Sequence, residues 1–364
     1  MKIKEITNYL ESIAPLHFQE DYDNSGLLVG NENSIVDAAL ITLDCTEEVV
    51  QEAIALGCNL IIAHHPIIFS GLKKLAGNNY VERTIIQAIK NDIAIYAIHT
   101  NLDNVGNGVS AKIAEKLGVE NCKILSPKKD LLRQLAVYCP SSDAEKVRNK
   151  LFKVGAGDIG NYDECSFTSV GEGTFKANEG CNPHLGEIGE RHQEKEERIE
   201  VIFPKHKEQA IITAIKDAHP YEEIAYQIYI LDNVYENIGS GVVGKLSKSM
   251  ASAAFLELLK STMKTDCVRY SKLVKNKIET VAICGGSGSF LLSNAKSAKA
   301  DILITADFKY HEFFDADDDI IIADIGHYES EQFTKDLIYD LLIKKFSKFA
   351  VQLSKVNTNP IKYF

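Results

Sequence analysis

The stretch LIIAHHP, residues 60–66, decides the fold of this chain. Its four apolar residues predict a short strand, and His64 and His65 follow directly at the carboxyl end of that strand. Pro66 favours an extended conformation at His65, as expected where a chain leaves a sheet. The stretch therefore predicts a strand that delivers two imidazoles to one edge of a sheet.

Strands and helices alternate on both sides of this stretch. Thr46 is suited to cap the start of a helix, and Gly57 is suited to end the same helix. Strand–helix–strand alternation indicates an α/β fold with parallel strands, in which ligand sites gather at the carboxyl ends of the strands. The predicted elements of the first third are strands at residues 38–43, 60–63 and 93–98 and helices at residues 47–56 and 80–91.

The last third repeats this pattern, whereas the middle of the chain differs. The middle elements follow the order strand–helix–strand–strand–helix–strand, which is typical of a ferredoxin-like α+β module, and we place its boundaries near residues 126 and 239. The main predicted elements of the middle are strands at residues 135–140, 199–204 and 225–231 and helices at residues 143–154 and 208–218. Those of the last third are strands at residues 280–283, 301–305 and 320–323 and a helix at residues 329–345.

The composition narrows the possible functions. The chain has 364 residues, with 40 lysines and arginines against 51 aspartates and glutamates, and a net charge of −11. This acidic balance argues against a broad basic surface for nucleic acid. The eight cysteines include no Cys-x-x-Cys pair, and no apolar run reaches the ~18 residues of a membrane span. We therefore expect a cytoplasmic protein with reduced cysteines and no membrane partner.

Two histidine motifs of the first third lie at predicted strand ends. His64 and His65 can both turn toward one cleft, although a pair of surface or capped histidines is an alternative interpretation. His99 and Asp103 offer an imidazole and a carboxylate, the ligand types that zinc, iron and manganese accept. Asp103 could instead cap a helix or turn next to the glycine-rich loop that follows, and His99 could be a partly buried residue at the strand end.

A third motif pairs His327 with Glu331 in the last third. At this i,i+4 spacing the two side chains share one face of a helix, where they can bind one metal or form a simple ion pair. With the first two motifs they provide more ligands than one tetrahedral site needs, and enough for two bridged ions. The candidate metal ligands are His64, His65, Asp103, His327 and Glu331, with His99 in reserve.

The stretch CGGSG at residues 284–288 resembles a phosphate-binding turn. It lacks the Lys-Ser/Thr pair of a P-loop and the spacing of a dinucleotide fingerprint. We therefore interpret it as a tight turn that brings the backbone near the cleft.

Together these motifs resemble those of the Nif-three-like family, whose members are described as GTP cyclohydrolase I type 2 homologues. The resemblance extends over the whole chain. It rests on HHPIIF at residues 64–69, HTNLD at 99–103, GHYESE at 326–331, DNSGLLVG at 23–30 and LDCT at 43–46.

The resemblance implies a two-lobed α/β core with a dinuclear metal centre. Residues 1–125 and 240–364 would form this discontinuous core, and residues 126–239 would form an inserted PII/CutA-like ferredoxin-fold domain. Such inserts trimerise, and family members form toroidal homohexamers whose metal sites face an interior cavity. The ligands would be the five named above, with Asp103 and Glu331 as bridges and His99 orienting Asp103 or the substrate.

The resulting functional expectation is a metal-dependent hydrolase. Two divalent ions per subunit, zinc first and iron or manganese as alternatives, would activate water against a small, nucleotide-like substrate, with His99 as a proton shuttle. In the cyclohydrolase version the target is the guanine ring. The alternative is a non-enzymatic metal-binding regulator or assembly scaffold, and nucleic-acid binding is a weaker third hypothesis.

Overall fold

The computed structural model describes the whole chain, residues 1–364. It contains two compact units, one formed by Met1–Pro127 together with Glu236–Phe364 and the other by Lys128–Tyr235. None of the helices combines the length and apolar character that crossing a membrane requires.

Eleven α-helices and fifteen strands are formed along the chain. The helices are α1 (Ile3–Ile13), α2 (Glu47–Leu56), α3 (Tyr80–Lys90), α4 (Thr100–Asp103), α5 (Val109–Leu117), α6 (Ala144–Lys153), α7 (Glu208–Ala218), α8 (Ser252–Thr262), α9 (Leu292–Ser297), α10 (His327–Glu331) and α11 (Thr334–Lys345). The strands are β1 (Gly26–Val29), β2 (Ala38–Thr42), β3 (Leu60–Ala63), β4 (Ala94–Ala97), β5 (Val119–Lys128), β6 (Leu132–Pro140), β7 (Phe167–Lys176), β8 (Arg191–Pro204), β9 (Tyr226–Ile230), β10 (Tyr235–Ala251), β11 (Arg269–Tyr270), β12 (Lys277–Ser287), β13 (Ile302–Ala306), β14 (Ile321–Asp324) and β15 (Ala350–Leu353).

The first sheet of the discontinuous unit has the strand order β1-β4-β3-β2-β15. Strands β15, β2, β3 and β4 run parallel, and β1 is antiparallel to β4. Every residue of β3 and β4 is buried, as expected for parallel strands covered on both faces. The predicted α/β architecture is therefore confirmed for this part of the chain.

Helix α2 shows why the local sequence signals succeed. Its bounds agree with the prediction, and the Thr46 hydroxyl accepts a hydrogen bond of 3.4 Å from the backbone N–H of Val49. Gly57 ends the helix in the left-handed conformation, with φ of 66°. The helix returns the chain to the opposite edge of the sheet, so that β3 runs parallel to β2 and the carboxyl ends of both strands lie at the same edge.

The second sheet of this unit has the order β11-β14-β13-β12-β10-β5. Strands β12, β13 and β14 are parallel, and their carboxyl ends lead into α10 and the loops around it. A core of buried residues, including Leu291, Leu303 and Ile322, packs against this sheet. The last third therefore forms the parallel strands that its sequence pattern predicts, within a mixed sheet in which β10 and β11 are antiparallel to their neighbours β12 and β14.

Two predictions for the last third are wrong in detail. The single helix at residues 329–345 is divided by a turn at residues 332–333 into α10 and α11. At this turn the side-chain amide of Gln332 donates to the carbonyls of Met263 and Glu329, a tertiary contact that the helical pattern does not contain. Residues 284–287 are not a tight turn, because β12 continues through Ser287 with an irregular register against β13.

The second unit is a four-stranded antiparallel sheet with two helices. Its elements follow the order β6-α6-β7-β8-α7-β9, and its strands lie in the order β7-β8-β6-β9. Both helices pack on a core that includes Leu135, Phe203 and Ile215. The predicted β-α-β-β-α-β order is therefore present.

Candidate metal centre

Three parallel strands of the discontinuous unit deliver the candidate ligands. His64 and His65 follow β3, and α4, which follows β4, starts after His99 and ends at Asp103. From the second sheet, β14 leads into α10, whose first and last residues are His327 and Glu331. All six residues predicted from the sequence thus lie at the carboxyl ends of parallel strands, as the topology requires.

Five of these side chains form two groups that share Glu331. Glu331 Oε2 lies 2.9 Å from His65 Nε2 and 3.1 Å from His327 Nε2. Its other oxygen, Oε1, lies 3.8 Å from His64 Nε2, which in turn lies 3.7 Å from Asp103 Oδ1. The donor atoms of each trio lie within 4.8 Å of one another. Each oxygen of the same carboxylate therefore faces a different trio.

His99 belongs to a third group, with His64 and His65, whose ring nitrogens also lie within 4.8 Å of one another. The rings of His64 and His65 both lie 5.3 Å from the ring of His99, in edge-on arrangements. His99 is therefore placed beside the donor atoms of the first sheet, where it can act as a ligand or exchange a proton.

The Nδ1 atom of each of these four histidines is held by an oxygen acceptor outside the cluster. This arrangement fixes the ring orientation and leaves Nε2 for the cleft, which is how proteins orient metal-binding imidazoles. The pairs are His64 with the Ile98 carbonyl at 2.8 Å, His65 with Asp44 at 2.7 Å, His99 with Asp23 at 2.7 Å and His327 with Asp307 at 2.6 Å.

Sequence reasoning gave no role to Asp23, Asp44 or Asp307. Asp44 and Asp307 follow predicted strands, so their positions were a usable signal, whereas Asp23 lies in a loop before β1. The C-terminal segment was missed as well. The Thr358 hydroxyl donates to Asp44, and the Asn359 amide donates to Glu329 at 2.9 Å.

Two buried atoms of the cluster have no hydrogen-bond partner, His64 Nε2 and Asp103 Oδ1. Buried polar atoms normally find a partner, because leaving one unpaired costs about 1–3 kcal/mol. The two atoms face each other at 3.7 Å with Glu331 beside them. A cation between these three side chains would satisfy both atoms, so the residues present fit a bound metal.

The electrostatics of the cluster favour positive charge. Burial and the nearby Glu331 carboxylate raise the pKa of Asp103. Burial alone would lower the pKa of His65, but Glu331 and Asp44 raise it to about 10. Burial also opposes the charged form of His327, while Glu331 and Asp307 raise its pKa to about 11. The protons on His65 and His327 thus supply the positive charge beside these carboxylates that bound divalent cations would otherwise supply.

The glycines of the CGGSG stretch make room for Glu331. A methyl group at position 286 would overlap Glu331 Oε1, and the φ of Gly286 is +65°. The Gly286 N–H donates to the Ser330 hydroxyl at 2.9 Å, and its carbonyl accepts from Thr305 at 2.9 Å. The expected close approach of this backbone to the cleft is confirmed.

The chain resembles known proteins over nearly its full length. The family model of Duf34/NIF3 (NGG1p interacting factor 3) matches residues 1–360. A Bacillus subtilis protein named GTP cyclohydrolase 1 type 2 homolog is 37% identical, with 99% of this chain and 98% of that protein covered.

Solved structures give the same result. The crystal structure of a Bacillus cereus protein related to NIF3 matches with a TM-score of 0.85 and 38% identity, over 100% of this chain and 99% of that one. A Staphylococcus aureus protein matches with a TM-score of 0.80 and 30% identity, with the same coverage. The chain therefore belongs to the Duf34/NIF3 family.

Proposed function

We propose that the chain binds two divalent metal ions at this cluster and acts as a metal-dependent hydrolase on a small substrate. The observation that carries the proposal is the pair of trios that share Glu331. His64, Asp103 and Glu331 would hold one ion, and His65, His327 and Glu331 would hold the other. Because Asp103 lies in only one trio, we assign the bridging role to Glu331 alone.

The donor set favours exchangeable, catalytic metals over a closed structural site. Imidazole and carboxylate ligands without thiolate suit zinc, iron and manganese, and we place zinc first. When bound, such ions lower the pKa of a water molecule toward neutrality and so supply a nucleophile. His99 would accept or return a proton at Nε2, because Asp23 holds Nδ1.

The insert and the assembly complete the proposal. We assign Lys128–Tyr235 as a PII/CutA-like module, supported by its β-α-β-β-α-β order, and we expect a toroidal homohexamer by resemblance to the family.

The alternative function is a metal-binding regulator or scaffold without turnover. It would use the same metal ligands but have no substrate.

The hydrolase proposal is tested with metal-reconstituted protein. The protein is incubated with GTP and with a panel of phosphoesters, and products are followed by chromatography. We expect turnover of at least one compound, and a loss of about 100-fold or more in His64→Ala, since removal of a catalytic metal ligand disables the ion. Failure of the metal-loaded wild-type protein to turn over any compound would favour the regulator instead.

The carboxylates behind the histidines predict graded effects on metal affinity. Asp44→Asn removes the charge that orients His65, so we expect about 10–100-fold weaker binding of one of the two ions by calorimetry with Zn²⁺. Thr358→Val is the matched control, because it removes the other partner of Asp44 and leaves the bond to His65 intact. Equal losses in both variants would contradict the orienting role.

A further inference from the structure

A second cavity lies within the second unit and shares no residue with the metal centre. It encloses about 460 Å³, a size that suits a small organic ligand. One wall is the face of the sheet turned away from the two helices, because Tyr138 lies between Val137 and Cys139, which both face the helical core. The other walls come from the segments 177–184 and 221–225.

Aromatic rings line this cavity at angles to one another. The ring centroids of Phe175 and Tyr221 lie 5.6 Å apart with an angle of 62° between their planes. Those of His184 and Tyr221 lie 6.3 Å apart at an angle of 53°. Because these rings are not stacked on one another, the set offers ring faces to a ligand in the cavity. The faces of aromatic rings attract cations.

Three carboxylates give the same cavity a negative charge. They belong to Glu196, Glu222 and Glu223, and the one lysine or arginine among the lining residues is Lys176. The lining thus carries more negative than positive charge. A cation would be attracted both by the carboxylates and by the rings.

Glu196 is the carboxylate that the sheet itself places in this cavity. A methyl group at position 173 would overlap the Glu196 carboxylate, so Gly173 leaves the space that this carboxylate occupies. Glu197 and Glu200 on the same strand pair with arginines, whereas no lysine or arginine of the protein forms an ion pair with Glu196. The charge of Glu196 is therefore free to balance a cation that enters the cavity.

The Tyr221 hydroxyl adds an unpaired polar atom to the same lining. Its oxygen is buried and has no hydrogen-bond partner. Burial and then the nearby Glu196 carboxylate raise the pKa of Tyr221, so the hydroxyl keeps its proton. Buried polar atoms normally find a partner, and a molecule bound in the cavity would provide one.

The geometry does not favour a metal ion as the occupant of this cavity. Cys181, His184 and the three glutamates are metal-binding residue types, and all of them line it. Their donor atoms do not converge, however, because the groups of three donors within 4.8 Å of one another all belong to the metal centre. The occupant that fits is a cation too large to need close coordination.

We propose that this cavity binds a small organic cation that carries an alkylated ammonium group. The rings of Phe175 and Tyr221 contact the alkyl groups, over which the positive charge is spread, and Glu196 balances that charge. The inference concerns the second unit alone and does not depend on the proposed metal centre. It gives this unit a ligand of its own.

Titration of the full-length protein with choline, followed by saturation-transfer NMR, tests the proposal. The comparison ligand is the neutral isostere of choline in which a carbon atom replaces the charged nitrogen. The two ligands have the same shape and differ in charge. We expect choline to bind at least about tenfold more tightly, because the rings and the carboxylates attract only the cation. Equal affinities, or folded protein that gives no choline signal, would overturn the proposal.

Two variants place the binding in this cavity. We expect Glu196→Gln to lose about tenfold in choline affinity, since it removes the balancing charge. Phe175→Leu should lose about three- to tenfold, because it keeps an apolar side chain and removes the ring. Glu194→Gln is the matched control, since Glu194 lies on the same strand but pairs with His192 and does not line the cavity.

The three variants are first compared by circular dichroism to verify that they are folded. Rings that served only to pack the segment 177–184 would alter thermal stability in Phe175→Leu and leave choline affinity unchanged. Folded Glu196→Gln and Phe175→Leu proteins that bind choline as tightly as the Glu194→Gln control would therefore overturn the proposal.

Discussion

Replacement of Glu331 by glutamine is expected to remove both metal ions. Each oxygen of this carboxylate faces a different trio, so loss of its charge affects both positions. Glutamine keeps nearly the same volume, which limits any change in packing around a side chain that is only 3% exposed. We expect affinity for both ions to fall by about 100-fold or more, beyond the 10–100-fold typical of residues that only orient a ligand.

The matched control is Glu329→Gln on the same helix. Glu329 is also buried, but its carboxylate accepts from Asn359 instead of facing the histidines. Calorimetric titration with Zn²⁺, together with circular dichroism to verify folding, separates the two variants. If folded Glu331→Gln lost only one ion, the bridging role would be wrong. If it lost neither, the whole ligand assignment would be wrong.

Gly286→Ala is expected to damage the metal centre without changing any ligand. A methyl group at this position would overlap Glu331 Oε1, and the backbone is left-handed with φ of +65°. Relief of the overlap requires movement of the carboxylate or of β12. We expect at least about tenfold weaker metal binding, because small displacements of ligand atoms are costly in metal sites, in addition to about 1–2 kcal/mol of backbone strain.

Gly57→Ala isolates the backbone contribution. Gly57 ends α2 with a φ of +66°, and apart from its neighbours in the chain no residue has an atom within 4 Å of the position that its Cβ would occupy. This variant should lose about 1–2 kcal/mol in the free energy of unfolding, measured with denaturant, and bind metal normally. Equal metal affinity in the two alanine variants would show that Gly286 has no role in placing Glu331.

The sequence predicts well those features that depend on residues close together in the chain. The Thr46 cap and Gly57 define α2 within a single segment, and apolar runs define β3 and β4. The sequence also identified the ligand motifs, because each follows the predicted carboxyl end of a strand, which is where ligand sites gather in parallel sheets. A shared site was expected from the ligand types and their number, and the resemblance explained how it can form, because an inserted module lies between Asp103 and His327, which more than 220 residues separate.

Features that depend on distant partners could not be predicted in this way. The division between α10 and α11 arises where Gln332 bonds to Met263 and Glu329, and β15 joins β2 from the far end of the chain. The role of Asp23 depends on its contact with His99, 76 positions away. Each of these contacts depends on tertiary packing, which local propensity does not contain.

The most direct test of the metal centre is elemental analysis of the wild-type protein and three variants after zinc loading and removal of excess metal. The proposed centre predicts about two divalent ions per chain in the wild type, about one each in His64→Ala and His65→Ala, and almost none in Glu331→Gln. Folded wild-type protein without stoichiometric metal, or a metal content that is the same in all four proteins, would contradict it.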